Sequence, residues 1–198
     1  MSANPLPYLS PDEYLAIERE AEFKSEYYGG RTYAMSGGTW PHSLLASNLN
    51  FQLRSEIGQR RCFVFSSDLR VCTPGGLYTY PDISVVCGEP VLKDNRKDIL
   101  TNPTLIVEIL SKSTEAHDRG FKFAQYRSIE SLQEYVLVSQ TEPRVECFRR
   151  GAAGVWTLHE TLGMDAVVHS ESVGCGIAMA GIYDKIDFEA GSFGRLSE

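Results

Sequence analysis

The chain has 198 residues, 42% of them hydrophobic and 23% charged, with a formal net charge of −7. That length and composition fit one globular domain over residues 1–198 and exclude a disordered chain, a coiled coil or a repeat array. The acidic balance excludes a protein that coats nucleic acid without selectivity, because such affinity comes largely from neutralising phosphates.

The opening segment "MSANPLPYLS" has neither the basic nor the apolar region of a signal peptide. The longest apolar stretch, "GCGIAMAGIY", falls short of the ~20 residues of a membrane span, so a cytoplasmic protein is expected. Cys62, Cys72, Cys87, Cys147 and Cys175 form no CxxC pair. They read as buried free thiols in a reducing compartment. The basic clusters Arg60-Arg61, Lys93–Lys97 and Arg149-Arg150 read as solvated surface features rather than a binding stripe.

"SPDEYLAIERE" starts like a helix: Ser10 can cap, Pro11 suits the first turn and Glu13 completes a capping box. "FKSEYY" and "RTYAMSG" are β-type runs joined by Gly29-Gly30, a hairpin signal. "TWPHSLLASNLNFQLRSEIG" predicts a long helix, since Leu45, Leu49, Leu53 and Ile57 recur every fourth residue and Gly58 is a natural stop. "RCFVFSSDLRVCT" and "LYTYPDISVVCG", joined by "PGG", predict a second hairpin. The polar stretch from Glu89 to Asn102 reads as a surface loop. "TLIVEIL" predicts a strand covered on both faces. Asp118 is placed to cap a helix reaching about Ile129. "EYVLVSQ", "RVECFRR" and "VWTLHETL" then predict a three-stranded meander. This order implies an α+β or α/β core, a mixed sheet with helices packed on it.

Two acids interrupt the core runs. Alternation along "TLIVEIL" puts Thr104, Ile106, Glu108 and Leu110 on one face and Leu105, Val107 and Ile109 on the other. Glu108 therefore lies mid-strand, where an ionised carboxylate is costly unless a cation or strong hydrogen bonds compensate. A plain ion pair with an arginine would also satisfy it. Asp82 follows Pro81 at the mouth of "ISVVC", where Asp is also ordinary turn chemistry. If the two strands are neighbours, both acids converge, and a shared Mg²⁺ or Mn²⁺ relieves their repulsion. Phosphodiester cleavage needs a further cation for charge developing on the phosphate. Lys112, four residues beyond Glu108, and Lys122, in "HDRGFKFAQYR", compete for that role. Lys122 is also spaced for a surface ion pair with Asp118. Asp68 in "SSDLRV" is placed to pair with Arg70. No P-loop spacing is present in "SGGT".

"YPDISVVCG", "PTLIVEILSKSTEAHDRGFKFAQYR", "SLQEYVLVSQTEPRVECFRR", "KSEYYGGRTYAMSGGTWPHSLLASNL" and "SSDLRV" together resemble the putative restriction endonuclease family within the PD-(D/E)XK nuclease superfamily. The resemblance covers about residues 8 to 185. It implies a restriction-endonuclease-like mixed β-sheet core flanked by helices, after an N-terminal helix and hairpin. It also implies a Mg²⁺ or Mn²⁺ site, DNA as substrate and a nuclease activity.

On this resemblance Asp82 matches the Asp of "PD" and Glu108 the acid of "(D/E)XK", both as metal ligands, with the carbonyl of Ile109 as a third. The motif's lysine position holds Leu110, and the "DRGxKxxxY" pattern moves the lysine to Lys122, with Tyr126 one turn on. Lys112 stands where such sequences often carry proline. Glu26 matches an acid of the hairpin that could complete the site, and His42 a histidine near the substrate. A lone exposed Glu or a helix-start His is otherwise an ordinary surface residue. Two other readings stay open. One is a silent module that keeps the fold and binds nucleic acid or a protein. The other is a metal-free acid pair of the glycosidase type. A homodimer would suit an enzyme that cuts two strands.

Overall fold

The computed structural model of the chain describes residues 8–188, so most of the opening segment read for a signal peptide lies outside the described residues. In chain order the elements are α1 (Pro11–Glu18), β1 (Ser25–Tyr28), β2 (Arg31–Ala34), α2 (Trp40–Ile57), β3 (Cys62–Ser66) and β4 (Arg70–Cys72). Next come β5 (Tyr78–Thr79), β6 (Ile83–Cys87), β7 (Ile99–Leu100) and β8 (Leu105–Leu110). A helical segment follows: α3 (Glu115–His117), a π turn (Asp118–Lys122) and α4 (Phe123–Tyr126). The chain continues through β9 (Glu134–Ser139), β10 (Arg144–Arg150), β11 (Trp156–Leu162), β12 (Val167–Ser170), β13 (Cys175–Ala178) and α5 (Met179–Ile182).

Local chemistry sets several of these boundaries. The Ser10 hydroxyl accepts the Glu13 N–H, and the Glu13 carboxylate accepts the Ser10 N–H at 2.8 Å, the reciprocal capping expected. Gly29 and Gly30 turn the first hairpin at positive φ, +55° and +82°. Leu45, Leu49, Leu53 and Ile57 form the buried stripe of α2.

The main sheet is mixed, in the order β11-β10-β9-β8-β6-β3. Only β8 and β9 run parallel in it. Its two faces carry different cores. Leu105, Val107 and Ile109 of β8 join α2, β13 and α5 in one. Ile106 and Leu110 join Tyr126, Ile129, Leu132 and Tyr135 in the other. A smaller sheet, β2-β1-β5-β4-β7, packs under α1 through Tyr14, Leu15, Tyr27 and Tyr78.

The second hairpin departs from the sequence reading. Its arms fork. The inner arms pair in the small sheet, Val71 with Thr79 and Cys72 with Tyr78. The outer arms pair in the main sheet, from Cys62 with Cys87 to Ser66 with Ile83. The break on the return arm falls at Tyr80-Pro81-Asp82, where proline has no N–H to extend a ladder. Consequently β6 pairs β8 only over Ile83–Val85, leaving the far half of β8 without that neighbour.

Other expectations are corrected. The stretch Glu89–Asn102 is not all loop, because Ile99 and Leu100 are fully buried in β7, parallel to β4. Asp118 is not the N-cap of a helix: it closes α3 and opens the π turn, is 2% exposed, and the helical segment stops at Tyr126. Asp68 pairs with Lys24 at 2.5 Å, while Arg70 donates to the Tyr80 hydroxyl at 2.8 Å. Cys62 and Cys87 are not free thiols. Facing each other across β3 and β6 with Cα atoms 4.0 Å apart, they form a disulfide; Cys72, Cys147 and Cys175 are free and buried. Among the described residues no helix is long and apolar enough to cross a membrane.

Thiol titration of the denatured, unreduced chain should therefore find only Cys72, Cys147 and Cys175, and all cysteines after reduction. Closing a loop of 25 residues, the bridge should contribute about 3.5 kcal/mol, lost in Cys62→Ser. Five reactive thiols without reductant would rule the bridge out.

Candidate active site

The fork in the second hairpin creates the site. With β6 starting only at Ile83, Asp82 sits just outside the strand and its side chain takes the place of the missing ladder partner. Asp82 Oδ2 accepts the Ile109 N–H at 2.7 Å, and the Asp82 N–H points to Glu108 Oε2 at 3.3 Å. The two acids are thus brought together, Asp82 half-buried at the mouth and Glu108 3% exposed inside β8. His42, in the first turn of α2, approaches Asp82 Oδ2 through Nε2 at 3.2 Å. A Cβ at Gly38 would come within 2.9 Å of His42 Nδ1, so the Gly38 backbone lies close to the ring.

Glu108 Oε1 is held from the helical side, where Tyr126 donates at 2.8 Å and Lys122 Nζ lies at 3.2 Å. The π turn matters here. Its wider turn carries both Asp118 and Lys122 inward, and such turns recur at functional sites. Lys122 Nζ lies 3.1 Å from Glu26 and 3.2 Å from Asp118 as well as from Glu108. The i, i+4 pair with Asp118 therefore exists, but buried rather than at the surface. Glu26 comes from β1; the Thr79 hydroxyl donates to it and His117 stands 3.7 Å away.

Lys112 is elsewhere. It is exposed past the end of β8 and touches none of these acids, although it lines the same cleft of about 520 Å³. Thr79, His117 and the buried position of Asp118 were not assigned to the site from the sequence. Only the Asp118–Lys122 spacing carried a signal. Thr79 and His117 reach Glu26 by tertiary packing that no local pattern encodes.

Charge does not balance around Lys122. Glu26, Asp82, Glu108 and Asp118 face one ammonium and His42. Burial drives the Glu108 carboxyl upward, Lys122 opposes this, and the charges of Asp118 and Asp82 add to the rise, leaving it at about 8. Burial works against the charged Lys122, yet Glu108, Glu26 and Asp118 outweigh it and hold the ammonium protonated. The hydrogen bond to Asp82 raises His42 against the opposing effect of burial. The cluster thus carries surplus negative charge that a cation would relieve.

The oxygens fit a small hard cation. Asp82 Oδ1 has no protein partner among the described residues, and Glu108 Oε2 has only the long contact from the Asp82 amide. A residue's N–H and C=O leave a strand on the same edge, so the Ile109 carbonyl emerges on the Asp82 side of β8. Such donors suit Mg²⁺ or Mn²⁺ with water completing the shell. Among the described residues no group of three or more His, Cys, Asp and Glu is arranged to hold a metal ion, so a cation here would rest on the two carboxylates and the carbonyl alone.

Comparison with known proteins bears on the family and the fold. The model of the Uma2 family, described as "Putative restriction endonuclease", matches residues 11–180. The chain belongs to this family. Two proteins of Synechocystis sp., both described as uncharacterized, are similar throughout: one is 36% identical over 93% of this chain and 96% of its own length. The other is 38% identical over 81% and 91%. Among solved structures, one described as a putative nuclease belonging to DUF820 from Anabaena variabilis superposes with a TM-score of 0.73. It covers 88% of this chain and 97% of its own at 22% identity, a likeness of fold. The restriction-endonuclease-like fold expected from the motifs is the one this Uma2 chain adopts.

The raised Glu108 carboxyl has a consequence for stability. A carboxyl raised on folding from 4.5 to about 8 favours the folded state fully below 4.5, and that contribution is lost as pH rises through 8. Without metal, the melting temperature of the wild type should fall between pH 5 and 9 more steeply than that of Glu108→Gln. Mn²⁺ should restore the wild type alone at high pH. Parallel melting curves for the two proteins would refute the assignment.

Proposed function

We propose that this Uma2 protein is a Mg²⁺- or Mn²⁺-dependent endonuclease that hydrolyses DNA phosphodiester bonds. The observation that supports it most is the convergence of Asp82 and Glu108, two acids with free or weakly held oxygens, beside a buried lysine.

When bound, the cation would polarise the phosphoryl group and lower the pKa of a water molecule. Asp82 and Glu108 would hold it, with the Ile109 carbonyl. Tyr126 fixes the Glu108 carboxylate by donating to Oε1, so that Oε2 stays turned towards Asp82. Lys122, pinned by Glu26 and Asp118, would present positive charge to the attacked phosphoryl oxygens. Pinning matters because a preset charge needs no reorganisation as the reaction proceeds. His42 would remain close enough to the Asp82 carboxylate to orient it and contact the substrate.

Cleavage of DNA should require Mg²⁺ or Mn²⁺ and stop in EDTA. Asp82→Ala, Glu108→Ala and Lys122→Ala should each lower the rate by at least about a hundredfold. Lys112→Ala should stay close to wild type. Cleavage that survives EDTA, or that depends on Lys112 and not Lys122, would overturn the proposal. Absence of both cleavage and metal binding would leave the silent module in its place.

A further inference from the structure

A second cavity continues the first. It has a volume of about 1020 Å³, runs along the outer face of α2 and shares His42, Asp82 and the Met35–Gly38 segment with the cleft over the acids. The wall contributed by α2 is polar: Ser43, Ser47, Asn50 and Arg54 recur at helical spacing, opposite the buried leucines. Asn50 and Arg54 have no side-chain partner among the described residues. Arg54 is also exposed.

Two aromatic rings stand in this groove, near Met35, Ala46 and Val64. Phe51 is 68% exposed and Phe23 is 79% exposed, and both line it. Neither stacks on another ring among the described residues. An exposed phenylalanine is unremarkable when alone. Two on one groove, beside an unpaired arginine and amide, need an occupant with flat apolar faces and a polar backbone.

An unpaired polynucleotide strand has that chemistry, since each base offers a free π-face and each linkage a phosphate. A duplex does not, because its base faces are already stacked. The electrostatics agree. The basic clusters of the sequence lie off this groove, and most of their arginines are already paired. Arg60 and Arg150 bind backbone carbonyls, Arg61 pairs with Glu89, and Arg149 with Glu134. On the groove itself Lys24 is paired with Asp68, and Glu22 adds an opposing charge. With few phosphate contacts available, stacking must supply much of the affinity. From His42 to Phe51 the helix rises about 14 Å, roughly the length of four stacked nucleotides.

We propose that this groove holds one unpaired DNA strand, with Phe23 and Phe51 stacking on bases and Asn50 and Arg54 contacting the backbone, and leads it to Asp82. The inference deepens the nuclease reading by naming its substrate class, and it rests on that reading for what happens at Asp82. Strand binding in the groove can be tested apart from cleavage.

The test is fluorescence anisotropy of the full chain in EDTA and low salt, where nothing is cut. The probes are a labelled DNA single strand, its blunt duplex and an RNA strand of the same sequence. The DNA strand should bind at least about tenfold more tightly than the duplex and no more weakly than the RNA. Phe51→Ala and Phe23→Ala should each weaken it by about 5- to 100-fold; Phe51→Trp should restore binding and Phe51→Leu should not. Arg54→Ala should reduce the salt slope by about 0.7. Leu158→Ala, on the exposed edge strand β11, is the control expected to bind like wild type. Circular dichroism melts confirm that each variant is folded.

Equal or tighter duplex binding, preference for RNA, or wild-type affinity in both Phe→Ala variants would overturn the inference. This ligand pattern with no metal-dependent cleavage would instead sink the nuclease reading and leave the groove standing. Metal-dependent cleavage without the phenylalanine dependence would sink the groove alone.

Discussion

The hydrogen bond from the Ile109 N–H to the Asp82 carboxylate marks the place where two sheets part, and the rest of the site depends on it. Pro81 cannot donate to a neighbour, so the strand entering β6 is interrupted one residue before it begins to pair. The edge of β8 that would have been covered is left open. A bare backbone edge beside a core must find partners, and a side-chain carboxylate supplies one. Asp82 is thereby fixed over β8 with its second oxygen uncommitted. Glu108 meets it because the alternation of β8 points that side chain to the face covered by Tyr126.

Everything around this junction concentrates acid. The N-terminal hairpin brings Glu26, the π turn brings Asp118, and both converge on Lys122. Burial above all, with the nearby charges of Asp118 and Asp82 adding to it against Lys122, makes Glu108 take up a proton more readily than an ordinary glutamate. A structural ion pair would have been better served by one acid and one base. Surplus acid held at the open end of a strand is what a hard cation requires. Further support comes from outside the main sheet. Glu18 of α1 accepts the Tyr80 hydroxyl at 2.8 Å, tying the N-terminal helix to the fork.

Features governed by local periodicity were legible in the sequence. The stripe from Leu45 to Ile57, the Ser10–Glu13 cap and the alternation through Glu108 each arise within a few neighbouring residues, and each appears in the structure. What escaped depends on distant partners. The forked hairpin looks like one hairpin because both arms alternate smoothly; only the competition of a second sheet splits them. Ile99 and Leu100 are two residues inside a polar stretch, too short for any period to show. The Cys62–Cys87 pair follows from a cross-strand register that no spacing rule supplies. Asp118 carried a helix-cap signal and an ion-pair signal together, and tertiary burial in the π turn selected the second. Lys122 and Lys112 could not be ranked by residue chemistry alone; the fold brings only Lys122 to Glu108.

The claim on which the account turns is that Asp82 and Glu108 share one cation. It is tested most directly by an anomalous difference map from crystals soaked in Mn²⁺. The account predicts a single peak between the two carboxylates, with an oxygen of each at about 2.1 Å. No peak there, with Glu108 turned only to Lys122 and Tyr126, would contradict it.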